Sequence, residues 1–127
     1  MNYYESIQTA IDHMEEHLLD EVKPEQAALV AYMSMSNFYR LFFALTGCGV
    51  MEYIRLRRLH YAAAELKAGK VSVLETAVKY GFSSADAFAR AFKVHTGLAP
   101  SAYARADKTF VYERVNIMEK YFPEQDA

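Results

Sequence analysis

Apolar residues recur along this chain at helical spacing, and no segment alternates as a strand would. Ile7, Ile11, Met14 and Leu18 fall three and four positions apart, which predicts an amphipathic helix from about Tyr4 to Leu19 with its acidic residues turned outward. Pro24 suits the first turn of a second helix running to about Tyr32, and Ser34 can cap a third that ends at Thr46 before Gly47. A longer helix is expected from Met51 to Ala68, carrying Tyr53, Ile54, Leu59, Ala62, Ala63 and Leu66 on its apolar positions and closed by Gly69. Ser72 with Glu75 and Ser83 with Asp86 read as capping boxes that open two more helices separated by Gly81. Pro100 starts a short helix through Tyr103, and the stripe Val111, Val115, Met118 and Phe122 predicts a tail helix. The expected fold class is all-α, with about seven helices and the tail.

The chain also repeats itself. Displacement by fifty positions superposes Phe38 on Phe88, Arg40 on Arg90, Phe42 on Phe92, Thr46 on Thr96, Gly47 on Gly97, Tyr53 on Tyr103 and Arg55 on Arg105. Upstream the displacement becomes forty-nine, pairing Ala28 with Ala77, Met33 with Phe82 and Ser34 with Ser83, as if one residue were inserted in the second copy's turn. Each copy reads as helix, tight turn, helix, the outline of a helix-turn-helix, with the helix from Met51 to Ala68 joining the two. Residues 1–50 are therefore read as the opening helix and first helix-turn-helix, 51–69 as the linker, 70–107 as the second helix-turn-helix and 108–127 as an extension.

Composition bounds the rest. With 127 residues, 53% of them hydrophobic and 24% charged, the chain is an ordinary globular domain, and its longest apolar runs are too short to span a bilayer. Early acids in place of a basic leader speak against a signal peptide, so a cytoplasmic location is expected. The single cysteine, Cys48, offers neither an internal disulfide nor a zinc-finger ligand set. The net charge of -2 conceals an asymmetry along the chain. Residues 1–36 hold seven acids and one lysine, residues 37–108 hold eleven Lys and Arg against five acids, and residues 109–127 hold two against four. A basic middle between acidic ends fits a partner with phosphates better than the overall charge does.

In each copy the second helix has two faces. Phe38, Leu41, Phe42 and Leu45 in the first, and Phe88, Ala91, Phe92 and His95 in the second, are core stripes. The opposite faces carry Ser36, Asn37, Tyr39 and Arg40, and Ser84, Ala85, Asp86, Ala89, Arg90 and Lys93. These suit base edges in the major groove: Arg pairs with guanine O6 and N7, Asn with adenine N6 and N7, and Ala rests on a thymine methyl. The expected base-reading residues are thus Ser36, Asn37, Tyr39, Arg40, Ala85, Asp86 and Arg90. Asp86 can also serve as a capping acid. Ser34, Ser83 and Ser84 stand at helix starts, where they cap or meet phosphates, and Lys93 and Arg55 are further phosphate candidates. Arg57, Arg58 and Arg105 lie either on phosphate or on a solvated face, and Arg58 has the alternative of serving the core. The eighteen-residue linker helix would span roughly 27 Å, against about 34 Å between successive major grooves on one face of the duplex. One chain could reach both, with some bending of the DNA.

The stretch Ser34, Phe38, Arg40 and Phe42, followed by Arg55, Arg57, Arg58, Leu59, Ala62, Ala63 and Leu66, resembles the first unit and linker of the DNA-binding domain of the AraC/XylS family of transcription regulators. The segment from Val73 to Arg105, with Ala77, Gly81, Phe82, Ser84, Phe88, Arg90, Phe92, Lys93, Gly97, Pro100 and Tyr103, is similar to the family's second unit. The resemblance covers roughly Ile7 to Arg105. It implies two helix-turn-helix units on a linking helix, sequence-specific binding of double-stranded promoter DNA, and control of transcription. RNA polymerase is a further candidate partner, and an effector-binding domain outside this chain a third. The family's reading contacts would fall on Ser36, Tyr39 and Arg40, and on Ala85, Asp86 and Arg90. Tyr32 stands in place of a frequent turn glycine, which would loosen the first turn. Phe43 replaces a frequent basic residue and Ala104 another. The second reading helix is poor in hydrogen-bonding side chains, so the first unit is expected to dominate specificity. The extension after Asp107 could be the start of the effector domain.

No Gly-rich phosphate loop, nucleophile elbow or H-E-x-x-H motif occurs, and no enzyme, cofactor or metal is implied. His13 and His17 stand four apart, a ligand-compatible spacing, but the expected reading is an exposed polar face rather than a metal site. The alternative function is a protein-interaction module on the same scaffold, binding a partner through the acidic first helix and Phe43. Salt-dependent, sequence-selective affinity would favour DNA reading over that module.

Overall fold

The computed structural model describes residues 2–124, in which eight α-helices and no strand occur. In chain order they are α1 (Tyr3–Glu16), α2 (Pro24–Val30), α3 (Met35–Thr46), α4 (Val50–Ala68), α5 (Val73–Lys79), α6 (Ala85–Thr96), α7 (Pro100–Arg105) and α8 (Ile117–Tyr121). They form two compact units that cut the chain within α4, after Arg55. The first unit holds everything up to Arg55 together with the residues from Arg114 onward, and the second holds Leu56–Glu113.

In the first unit, Asn2 caps α1 by accepting the Glu5 N–H at 2.8 Å, and Ile7, Ala10, Ile11 and Met14 bury one face of it. That face meets α2, α3 and α8. From α3 come Phe38 and Phe42, fully buried and 5.8 Å apart ring to ring, with the α4 residue Tyr53 5.4 Å beyond Phe42. The second unit repeats this core. Phe88 and Phe92 of α6 lie 5.5 Å apart and Tyr103 of α7 lies 5.1 Å from Phe92, packed with Leu59, Ala62, Ala63, Leu66, Ala77 and Tyr80. The repeat extends to hydrogen bonds. Thr46 Oγ1 donates to the Cys48 carbonyl at 3.1 Å, and Thr96 Oγ1 donates to the Leu98 carbonyl at 3.0 Å. Both α3 and α6 end on a left-handed glycine, Gly47 and Gly97, where a side chain would be strained.

The extension departs from the expected tail helix. Its helix is confined to Ile117–Tyr121, while Val111 and Val115 lie outside any helix or strand. The reason is that neighbouring side chains occupy the backbone groups a helix would need. The Phe110 N–H donates to Tyr103 Oη at 2.7 Å and the Tyr112 N–H to His60 Nδ1 at 3.1 Å. Arg57 donates to the Tyr112 carbonyl. In the first unit the Val115 N–H donates to Tyr53 Oη at 3.1 Å and the Ile117 N–H to Gln8 Oε1 at 2.6 Å. The two repeat-related core tyrosines therefore each accept one backbone N–H from the same non-helical segment. Lys120 Nζ and Tyr121 Oη donate to the Leu45 carbonyl at the end of α3, and Tyr121 and Phe122 pack on Tyr4. From Arg114 on, the extension is thus part of the first unit's core and surface.

Candidate nucleic-acid interface

Each unit presents one helix through a tight turn. In the second, Gly81 adopts φ 77°, its N–H donates to the Val78 carbonyl at 3.2 Å, and the Phe82 N–H donates to the Ala77 carbonyl at 3.0 Å. In the first, Tyr32 takes the same left-handed region at φ 58°, with the Tyr32 N–H donating to the Leu29 carbonyl and the Met33 N–H to the Ala28 carbonyl, both at 3.0 Å. The expected loosening of this turn does not occur. The hydrogen bonds close it alike in both copies, and Tyr32 carries the backbone strain that glycine would avoid.

Beyond the turn, the second copy differs by one residue. The Ser34 hydroxyl accepts the Asn37 N–H to cap α3, and the equivalent cap of α6 is Ser84, accepting the Ala87 N–H at 3.0 Å. The inserted residue is therefore Ser83, between Phe82 and the cap. The expected Ser83–Asp86 capping box is corrected accordingly: three residues beyond Ser84 stands Ala87, which has no carboxylate to return the bond. The other expected box is complete. Ser72 Oγ accepts the Glu75 N–H at 3.0 Å and Glu75 Oε1 accepts the Ser72 N–H at 3.2 Å.

The outward face of α3 exposes Ser36, Asn37, Tyr39, Arg40 and Phe43, and that of α6 exposes Asp86, Arg90, Lys93 and Val94, with Ala85 and Ala89 half-buried. Arg40 Nη2 donates to Asn37 Oδ1 at 2.8 Å, which orients the guanidinium along the helix surface. Asn37 Oδ1 keeps a second lone pair and its Nδ2 remains a donor, so Asn37 can position Arg40 and still offer both groups outward. Ser34, Ser83, Ser84 and Arg55 are exposed.

The basic middle of the chain separates into two groups. Arg57 is buried, donating to the Tyr112 carbonyl and to Tyr61 Oη at 3.2 Å, with its guanidinium 5.1 Å from the Tyr61 ring centre. Arg58 is half-buried, and its guanidinium lies beside the Gly81 turn. Burial pulls its pKa below the ordinary arginine value. Lys67 donates to the Tyr103 carbonyl at 2.7 Å and to that of Ala106, Lys108 to that of Thr96, and Lys79 pairs with Glu65. These cations hold helix ends and the extension in place. Arg40, Arg55, Lys70, Arg90, Lys93 and Arg105 remain exposed. Sequence reasoning separated Arg58 but not Arg57 or Lys67. The i, i+4 spacing of Arg57 and Tyr61 was the available signal, whereas the carbonyls that Lys67 reaches lie 36 and 39 residues away.

On α1, His13 and His17 stack with ring centres 4.4 Å apart, and His17 Nδ1 lies 2.7 Å from the His13 carbonyl. Burial, followed by the neighbouring His17, lowers the His13 pKa. No group of three or more metal-ligating side chains occurs among the described residues, and no helix among them is long and apolar enough to cross a membrane.

Residues 27–106 match the helix-turn-helix domain family. The DNA-binding domain of the transcriptional factor AdpA, solved in complex with a target DNA, superposes with a TM-score of 0.72 at 28% identity, over 93% of this chain and 96% of that one. The chain belongs to the AraC/XylS helix-turn-helix family. An AraC-type transcriptional regulator from Chromobacterium violaceum shares the fold, with a TM-score of 0.74 at 22% identity over 79% of this chain and 89% of that one. The HTH-type transcriptional regulator YbfP of Bacillus subtilis is 36% identical over 94% of this chain and 41% of its own length. The Tn10 TetD protein from Escherichia coli is 42% identical over 71% of this chain and 66% of its own. The chain therefore spans between two fifths and two thirds of the length of these relatives. The matched region runs from within α2 to just past α7, and both α1 and the extension lie outside it.

Proposed function

We propose that this chain is the sequence-reading part of a transcription regulator, binding double-stranded DNA with α3 and α6 each in a major groove and controlling transcription from the promoter it occupies. The observation that carries this reading is the same construction made twice: a left-handed turn, a serine cap, two buried phenylalanines and an outward face that carries an arginine at the same helical position, Arg40 and Arg90. Direct readout falls to Arg40, to Asn37, which also holds it, and to Arg90, with Ser36, Tyr39, Ala85 and Asp86 shaping the fit. Ser34, Ser83, Ser84, Lys93 and Arg55 stand where phosphates pass a helix start or flank. AdpA's solved complex with its target DNA supports DNA as the partner. Family membership points to regulators rather than enzymes, and a cytoplasmic site of action and contact with RNA polymerase follow from the regulatory role.

The test is selection of binding sites from a random duplex library by the full chain, at two salt concentrations. An enriched site with two short blocks about one helical turn apart, and affinity falling steeply with salt, is the expected result. Arg40→Ala should relax specificity at one base pair, whereas Lys93→Ala should weaken all sequences alike. Absence of enrichment, with salt-insensitive binding to protein, would overturn the reading in favour of an interaction module.

A further inference from the structure

The face of α3 has an unusual chemistry for a helix that meets DNA. Between residues 35 and 46 the sequence holds one charged side chain, Arg40. Phe43 stands at the repeat position of Lys93, yet it is 61% exposed, while its neighbours in the stripe, Phe38 and Phe42, are fully buried. Phe43 lies three residues after Arg40 and four after Tyr39, so the three side chains share one strip of the helix. Tyr39 is itself 41% exposed, giving Arg40 an aromatic neighbour on the strip both beside it and one turn further on.

The major-groove edge offers one apolar group, the C5 methyl of thymine, and phenylalanine is among the side chains that contact it. Resting on the reading of α3 as the base-contacting helix, we propose that Phe43 is a specificity-determining residue that packs on a thymine methyl, with Tyr39 beside it. Three residues of helix advance roughly 4.5 Å, close to the spacing of about 3.4 Å between successive bases. The methyl therefore belongs to a base pair one or two steps from the one Arg40 reads. Arg40, oriented by Asn37, and Phe43 together read a guanine and a nearby thymine within one half-site.

The experiment starts from the selected site, in which the base pair read by Arg40 is identified by the relaxed specificity of Arg40→Ala. Each thymine within two base pairs of it is replaced singly by deoxyuridine, which removes the methyl and leaves the hydrogen-bonding edge intact. Affinities of the wild-type chain and of Phe43→Ala are compared by fluorescence anisotropy at one salt concentration, with thermal melting to confirm that the variant is folded. One deoxyuridine should weaken wild-type binding by about fourfold, the order expected for exposing one buried methyl. Phe43→Ala should lose a similar factor on thymine DNA and be indifferent to the same replacement. Wild-type binding indifferent to every replacement, a half-site without thymine at those positions, or equal sensitivity in wild type and variant would each overturn the proposal. Undiminished affinity of Phe43→Ala for thymine DNA would also overturn it and return Phe43 to a protein partner. Failure of the selection itself would overturn the DNA-reading function and this inference with it, whereas a selected site lacking the methyl effect overturns the inference alone.

Discussion

Tyr32 holds a backbone conformation that the equivalent position of the second unit reaches with glycine, and this permits a prediction whose sign runs against the usual order of side chains. A non-glycine residue in the left-handed region is strained by roughly 1.5 kcal/mol. Tyr32→Gly removes that strain, loses what little packing an 83% exposed side chain provides, and gives the unfolded chain more freedom. Tyr32→Ala loses the same packing and retains the strain. The difference between the two variants therefore cancels the packing contribution and leaves strain opposed by glycine's unfolded-state entropy, about 0.7 kcal/mol. Of the two, Tyr32→Gly should be the more stable by about 0.8 kcal/mol, or roughly 3 °C in Tm for a chain of this length. Thermal unfolding by circular dichroism measures it. The mirror variant, Gly81→Ala, should be less stable than wild type, because φ 77° is strained for alanine even though its Cβ would meet nothing closer than 3.6 Å. The reasoning is refuted if Tyr32→Ala melts at or above Tyr32→Gly, the order seen wherever the backbone is unstrained.

Three further outcomes follow from the same structure. Arg57→Ala should lower stability by about 2–4 kcal/mol, since it removes a buried charged donor from the Tyr112 carbonyl and from Tyr61 Oη. Arg55→Ala, at an exposed position, should leave Tm within about 2 °C while lowering the salt slope of DNA binding by about one; salt titration and melting of both variants separate the two roles. Ser84→Ala should cost about 1 kcal/mol as the loss of a helix cap, whereas Ser83→Ala should fall within about 0.5 kcal/mol of wild type; denaturant midpoints that reverse this order would show the cap to be Ser83. His13 has a depressed pKa in the folded chain, so the unfolded chain takes up its proton first as pH falls. Its contribution is present above the ordinary histidine value of about 6.5 and is lost as pH drops through the lower folded value. His13→Gln should therefore flatten the decline in stability between about pH 7 and pH 5, measured as Tm against pH.

The local rules that shape this protein act within a few residues, and these were legible from the chain. The three- and four-residue spacing of Ile7, Ile11 and Met14, the capping box of Ser72 and Glu75, the glycines after Thr46 and Thr96, and the displacement by fifty together specify two helix-turn-helix copies and the outward faces of their second helices. The outward face of α3 was equally legible, because a helix that buries Phe38 and Phe42 must turn Ser36, Arg40 and Phe43 outward.

What required tertiary structure were the partners reached over long stretches of chain. A helical period in Val111, Val115 and Met118 could not reveal that Tyr103, His60, Tyr53 and Gln8 occupy the backbone N–H groups between them, at separations from 7 to 109 residues. Nor could charge alone divide the basic middle into arginines that face solvent and an Arg57 committed to a carbonyl 55 residues away. Even the position of the inserted residue depended on which serine hydroxyl reaches the first N–H groups of α6, since Ser83 and Ser84 are identical in kind and differ only in place. Secondary structure here follows from neighbours in sequence, whereas the roles of individual polar groups follow from neighbours in space.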